Sequence, residues 1–420
     1  MTNNTPLTPS RLNPSDQPAA MPLNDTGTPM TGNNDYREWE RLIQGLGTGN
    51  NNGIDISIII PIHDIPVHYL EPMMSSIQSQ EIHGRSIILQ PAYDGDCPSI
   101  STGLDTIVTT ECMNDDTRVQ VILVDDHSTS SDTLEWLDSM EAKGPVDIVR
   151  VPGNQLAGVA AARNLGLLHA MGRWVMYLDS DDTLSSPDVL ESLLDAVHSS
   201  NDTSKIVIGD FDYVFRDGMT CDCRPLSPVM NPLAPADGTV PAGMSGMSVG
   251  MVLVQQLLTD NLMGDPLPSE RGVVWGRLYD RSFLIEETPL HGYFDTRLPR
   301  LSDVVWNVMV LSSLTSDDIT YVQKDIVDYK VRGGSITNGD YARRREQMNM
   351  VIDVLWNDIL PVVHGNHAEL RQWVCVFRNH VMGLCDSNDI QAHEGWFYDR
   401  DMGSMSLGRA GLDRESLLAF

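Results

Sequence analysis

In ISIIIP, residues 56–61, four of six residues are isoleucine and a proline ends the run. A stretch with no polar stripe cannot line a wet face of a sheet, so it reads as a strand covered on both sides. That requirement restricts the chain to architectures with helices on both faces of a sheet. The pattern downstream meets it. PVHYLEPMMSSIQSQ (66–80) has helical spacing at Val67, Leu70, Met73, Met74 and Ile77. VQVILVDDHS (119–128) reads as a second buried strand, DTLEWLDSMEA (132–142) as its helix and DIVRVP (147–152) as a third strand. LAGVAAARNLGLLHAMG (156–172) reads as a helix closed by Gly172 at the C′ position. RWVMYLDSDD (173–182) is the fourth strand, PDVLESLLDAVHSS (187–200) the next helix and SKIVIGDFDYVF (204–215) the fifth strand. Alternation at this spacing predicts an α/β chain with a mostly parallel, Rossmann-like sheet and helices on both faces.

Outside the alternation the character changes. The first 34 residues, rich in Asn, Thr, Pro and Ser, read as a disordered tail, followed by one short helix in YREWERLIQGLG (36–47). The expected organisation is a tail with that helix over 1–52, an α/β domain over 53–338 and a helical extension over 339–420. Within the domain, 82–118 is too long for an ordinary loop and reads as an inserted surface excursion. Residues 217–246, dense in Pro, Gly and Met, read as a long mobile loop. ITYVQKDIVDYKVRGGSIT (319–337) reads as a pair of strands.

Composition narrows the partners. A formal net charge of −30 over 420 residues repels nucleic acid and anionic membrane surfaces, so no nucleic-acid partner is expected. Four of the 28 basic residues are lysines (Lys143, Lys205, Lys324, Lys330), which leaves few candidates for lysine chemistry. Six scattered cysteines form neither a disulfide framework nor a zinc pattern. With no bilayer-length apolar stretch and no signal-like N-terminus, a cytoplasmic protein is expected, with peripheral association at the inner face of a membrane left open.

Two of the strand ends are acidic: Asp125 and Asp126 after VILV, and Asp179, Asp181 and Asp182 after VMYL. In such a sheet the ligand lies beyond the carboxyl ends of the strands. Carboxylates collected there suit a hard divalent cation, Mg²⁺ or Mn²⁺, that bridges to an anionic ligand. The plain alternative is a solvated helix start, since TLSSPDVL carries Ser and Pro signals. Likewise Asp125 and Asp126 could form a turn before the next helix. Arg163 and Asn164 interrupt an apolar helix face and serve either to tie helix to loop or to touch ligand. Trp275 and Trp306 read as core, with a platform for a sugar ring as the alternative.

The segments DISIIIPIHD, SSIQSQ, VILVDDHS, GVAAARNLGLLHAMGRWVMYLDSDD, VWGRLYDRSFL, LSDVVWN and VRGGSIT occur in an order that resembles family 2 glycosyltransferases of the GT-A fold. The resemblance covers about residues 55–338. It implies a hexosyltransferase-type enzyme moving a sugar, with inversion, from a nucleotide diphosphate sugar, expected to be UDP-linked, to a glycan or lipid-linked acceptor in polysaccharide biosynthesis. Carried over by position, Pro61, Ile62, His63 and Asp64 line the nucleotide and Asp126 meets the base, with Asp125 beside it. Arg163 and Asp179 join the nucleotide-sugar site, Asp181 and Asp182 meet the ribose and the metal, Arg332 meets the diphosphate, and Asp303 is the general base. Two departures stand out: His63-Asp64 replaces the family's aromatic-Asn, and Ser302-Asp303 replaces Glu-Asp. The second keeps alive a sugar-nucleotide-binding protein without activity. LDSDDTL also matches the D-x-D-x-T of haloacid-dehalogenase-type phosphatases, but that chemistry needs its second acidic pair downstream, and Asp125-Asp126 lies upstream.

Overall fold

A computed structural model describes residues 34–45, 53–92, 117–152, 158–200, 202–214, 220–222, 249–259, 272–330, 344–363 and 367–386. Helix α1 (Asn34–Gly45) precedes strand β1 (Ile56–Ile62), helix α2 (Val67–Gln78), the hairpin β2 (Glu81–Ile82) and β3 (Arg85–Ser86), and β4 (Ile88–Leu89). Then come β5 (Arg118–Asp125), α3 (Ser131–Lys143), β6 (Asp147–Arg150), α4 (Val159–His169), β7 (Trp174–Tyr177), β8 (Thr183–Leu184) and α5 (Val189–Ser199). The second half holds β9 (Ile206–Val214), β10 (Thr220–Asp222), α6 (Val249–Thr259), β11 (Arg277–Asp280), α7 (Ser302–Ser312), β12 (Ile319–Lys330), α8 (Arg344–Val354) and α9 (His367–Asp386).

The sheet runs β4-β5-β1-β7-β11-β9-β12-β8, with β6 beside β5 and β10 beside β9. β1 is parallel to β5 and to β7, as its two-sided burial demands. β11 enters antiparallel between β7 and β9, while β12 runs parallel to β9. Period-two alternation sorts the side chains to two cores. Ile59, Ile122, Val124, Val175 and Tyr177 face α4, α6, α7, α8 and α9. Ile58, Ile60, Val121, Leu123 and Met176 face α2, α3 and α5. The expectation of an α/β chain with helices on both faces and a helical C-terminal region holds.

Several details differ from expectation. α1 is docked: Trp39 and Ile43 are buried, and the Trp39 indole donates to the carbonyl of Leu290 at 3.3 Å. The stretch from 82 is partly built into the fold, since β4 pairs with β5; the rest of that excursion falls outside the described residues, as does most of 217–246. Of the 319–337 stretch, Ile319–Lys330 is one long strand with register shifts between Val322 and Val327, and the remainder lies outside the described residues. Bulges let one strand pair with β9 and still reach β8. Gly172 does not close α4 in a left-handed conformation. A Cβ there would meet the backbone nitrogen of Ser57 at 2.5 Å, so the glycine serves the close approach of the turn before β7 to β1.

Candidate active site

The parallel strands β1, β5 and β7 deliver their carboxyl ends to one edge, where Ile62 and Asp125 are register partners. Loops at that edge hold non-glycine residues with positive φ: Asp64 at 45° and His127 at 59°. Leu301, just before α7, sits at φ 54°. Left-handed backbone at bulky residues is strained and collects at functional sites.

At the ends of β1 and β5 the polar groups serve one another. The Asp64 carboxylate accepts from the backbone nitrogens of Thr129 and Ser130 at 2.6 and 2.7 Å and from the Thr129 hydroxyl at 2.8 Å. Those bonds hold its carboxyl below the usual range. Exposed His63 donates from Nδ1 to the carbonyl of Asp126 at 2.7 Å; a carbonyl only accepts, so this nitrogen carries the proton. Buried Asp125 accepts from the Ser128 nitrogen at 2.9 Å. Buried Asp126 accepts from the nitrogen of Gly158, at the head of α4, through both oxygens at 3.0 and 2.8 Å. Pro61 and Ile62 are buried in the strand itself. This half is a rigid frame of loops in which the carboxylates are spent on backbone.

The end of β7 is different. Asp182 is 0 % exposed; its Oδ1 accepts from the Lys330 nitrogen at 2.8 Å, while its Oδ2 has no hydrogen-bond partner. Burial first, then the carboxylates of Asp181 and Asp179, push its carboxyl well above the ordinary range. An orphaned buried carboxylate oxygen beside a second aspartate is a hard oxygen donor set whose negative charge a single half-buried lysine only partly answers, so Asp181 and Asp182 could hold a divalent cation. Half-buried Lys330 faces Asp182, Asp328 and Asp181; burial lowers its ammonium below the usual range. Sequence reasoning noted Lys330 only as one of few lysines. The available signal was the two-residue spacing of Asp328 and Lys330, which puts both on one side of β12.

Among the described residues, one trio of candidate metal-ligating side chains converges within 4.8 Å, and it lies elsewhere: His83, Glu191 and Asp195. Its two ring nitrogens face different carboxylates, Nδ1 Glu191 at 2.9 Å and Nε2 Asp195 at 3.9 Å. That geometry describes an imidazole bridging two helix carboxylates rather than ligands aimed at one ion.

Asp303 opens α7, with Val304 donating its nitrogen to the carboxylate at 2.9 Å. Removal from water pushes its carboxyl up, Arg163 draws it down and Asp179 raises it. Arg163 is 4 % exposed and pairs with Asp179 at 2.9 Å. Asp179, Arg163 and Asp303 are thus brought into one electrostatic group, near Asp181 and Asp182. Arg332 lies outside the described residues. Trp275 and Trp306 are buried core residues, as expected.

Residues 57–222 match the family described as Glycosyl transferase family 2. Over this part the chain is similar to family 2 glycosyltransferases. An uncharacterised glycosyltransferase of Haemophilus influenzae is 32% identical over 132 residues, 31% of this chain and 47% of that protein. The amylovoran biosynthesis glycosyltransferase AmsB of Erwinia amylovora is 28% identical over 136 residues, 31% of this chain and 45% of that protein. The chain therefore spans about half the length of these relatives. The crystal structure of S. aureus TarS 1–349 in complex with UDP-GlcNAc has a TM-score of 0.48 at 16% identity, covering 81% of this chain and 76% of that one. The glycosyltransferase match contains both acidic strand ends and Arg163, whereas Asp303 and Lys330 lie beyond it.

Proposed function

We propose that the chain is an inverting glycosyltransferase that moves a sugar from a nucleotide diphosphate donor, UDP-linked in our reading, to a glycan or lipid-linked glycan acceptor during polysaccharide assembly. The family match and the name of the amylovoran relative support the transferase and polysaccharide parts of this reading. The observation that carries the site is the buried, unpartnered Oδ2 of Asp182 beside Asp181 at the carboxyl edge of the sheet. Asp181 and Asp182 would hold a divalent ion, which supplies positive charge to a departing diphosphate.

The remaining steps fall to the chain's own groups. The Asp303 carboxylate takes the proton from the acceptor hydroxyl as its oxygen bonds to the anomeric carbon. The bond from that carbon to the diphosphate oxygen breaks, and its electron pair leaves with the diphosphate. Lys330 adds fixed positive charge on the same side. The frame of Pro61, Ile62, His63, Asp64, Asp125 and Asp126 shapes the wall against which the nucleoside lies, with Asp64 and Asp126 acting through the loops they brace.

Thermal-shift measurements with UDP-sugars and Mg²⁺ or Mn²⁺ test the reading, with donor-dependent UDP release as the second readout. Stabilisation by donor plus metal that disappears in Asp182→Asn supports it. Unchanged metal-dependent stabilisation in that variant sinks the metal assignment. Stabilisation with no UDP release from any donor and acceptor points instead to the binding protein that Ser302, in place of the family's Glu, leaves open.

A further inference from the structure

Arg163 is a buried cation on α4, a position from which a charge is costly to keep unless it works for other groups. Its guanidinium donates to Asp179 at 2.9 Å and lies 5.5 Å from the ring centroid of Phe294. Phe294 in turn stacks on Trp306, centroids 4.6 Å apart and planes 3° apart. Trp306 sits three residues after Asp303 on α7. The neighbour of Arg163 locks the same place: Asn164 donates to the Phe294 carbonyl and accepts from its nitrogen, both at 2.8 Å. The Trp306 indole closes the assembly by donating to the Gly292 carbonyl at 2.7 Å. One layered stack, guanidinium on phenyl on indole, runs from the end of β7 to the helix that presents Asp303.

We propose that Arg163 is a positioning residue, a buried positive charge that holds Asp179 at the donor side and Asp303 at the acceptor side in one constellation. The proposal rests on the reading of Asp303 as the base. Among the described residues, the charged groups facing Asp303 are Arg163 from α4 and Asp179 from the end of β7. They act with opposite sign, and their ion pair limits the repulsion that Asp179 exerts on Asp303. Removing the guanidinium therefore leaves the partly buried carboxylates of Asp179 and Asp303 without the cation that stands against both, and the folded state then favours a proton on Asp303.

The test uses the full chain without added metal. Arg163→Met is expected to lose more melting temperature at pH 8 than at pH 5, because an acid with a raised folded value stabilises only while protonated. In an Asp303→Asn background, more than half of that extra loss at pH 8 disappears. Equal losses at both pH values, or an extra loss undiminished by Asp303→Asn, overturn the proposal. If Arg163→Met does not fold, Arg163→Lys carries the test through UDP release from UDP-glucose, UDP-galactose and UDP-N-acetylglucosamine with Mg²⁺ and, as an activity-independent arm, through the same melting comparison. With the charge kept, the acid limb of kcat/KM and the pH dependence of melting stay at wild-type positions while kcat falls; a limb displaced upward by about 1 pH unit overturns the proposal. Wild-type transfer by Asp303→Asn sinks the base reading alone, since the stability arms still report the electrostatic coupling of Arg163 to Asp303.

Discussion

Both aspartates at the end of β5 accept backbone hydrogen bonds, Asp125 from Ser128 and Asp126 from Gly158, whereas at the end of β7 the Oδ2 of Asp182 is buried and accepts none. The first end is electrostatically complete: its charges are answered by N–H groups of the very loops they brace. At the second end repulsion remains between neighbouring carboxylates, and only part of it is answered, by Arg163 on Asp179 and by Lys330 near Asp182. The β5 carboxylates are thus answered by backbone nitrogens, Ser128 in the following loop and Gly158 at the head of α4, whereas one buried oxygen of Asp182 at the β7 end is left without such a partner.

The largest break in that comparison comes from the base. Asp303→Asn is expected to lower kcat/KM for sugar transfer about 10² to 10⁴-fold with melting temperature unchanged or raised, since desolvation disfavours the native carboxylate. Next in size is Asp182→Asn, which should abolish stabilisation by metal with donor while raising the melting temperature of the metal-free protein at pH 8. The pH dependence of the metal-free wild type sharpens the point. The folded state holds a proton on Asp182 more readily than the unfolded chain, whose carboxylate titrates near about 4. Its stabilising contribution is therefore present at lower pH and lost as pH rises through the elevated folded value, and added Mg²⁺ or Mn²⁺ should restore it.

At the β5 end the expected response is the reverse. Asp126→Ala leaves the Gly158 nitrogen without its acceptor at the head of α4 and should cost about 1 to 2 kcal/mol in urea unfolding, equally with and without metal. Smallest is Asp64→Ala. Its exposed carboxyl sits below the ordinary range, so the stability it contributes is present at neutral pH and lost as pH falls through that lowered value. The variant should melt below wild type at pH 7 and match it at strongly acid pH, by calorimetry.

The strands and helices were legible because their cause is local periodicity: an isoleucine run with no polar side has one fate, and Val67, Leu70, Met73, Met74 and Ile77 fall on one helix face, of which the last four are buried. The site was legible as a set of carboxylates at strand ends and not as a set of roles. Nothing in VILVDDHS says that the Asp126 oxygens find Gly158, 32 residues on, because that bond depends on how α4 docks. Gly172 was read through helix capping, yet its reason lies across the sheet at Ser57. The pairing of β12 with both β9 and β8 was hidden because its bulges disturb the alternation along the strand.

The sequence by itself determined a sheet sandwiched by helices and the clustering of acidic residues at its carboxyl edge, which follow from residue type and spacing along the chain, while Asp303 became a candidate only through the family resemblance. Only the tertiary structure decided which carboxylates are satisfied and which are not, that Arg163 joins Asp179 to Asp303, and that Lys330 comes to rest beside Asp182. Charge in a desolvated place depends on every group within a few ångströms, and those groups come from elements more than a hundred residues apart.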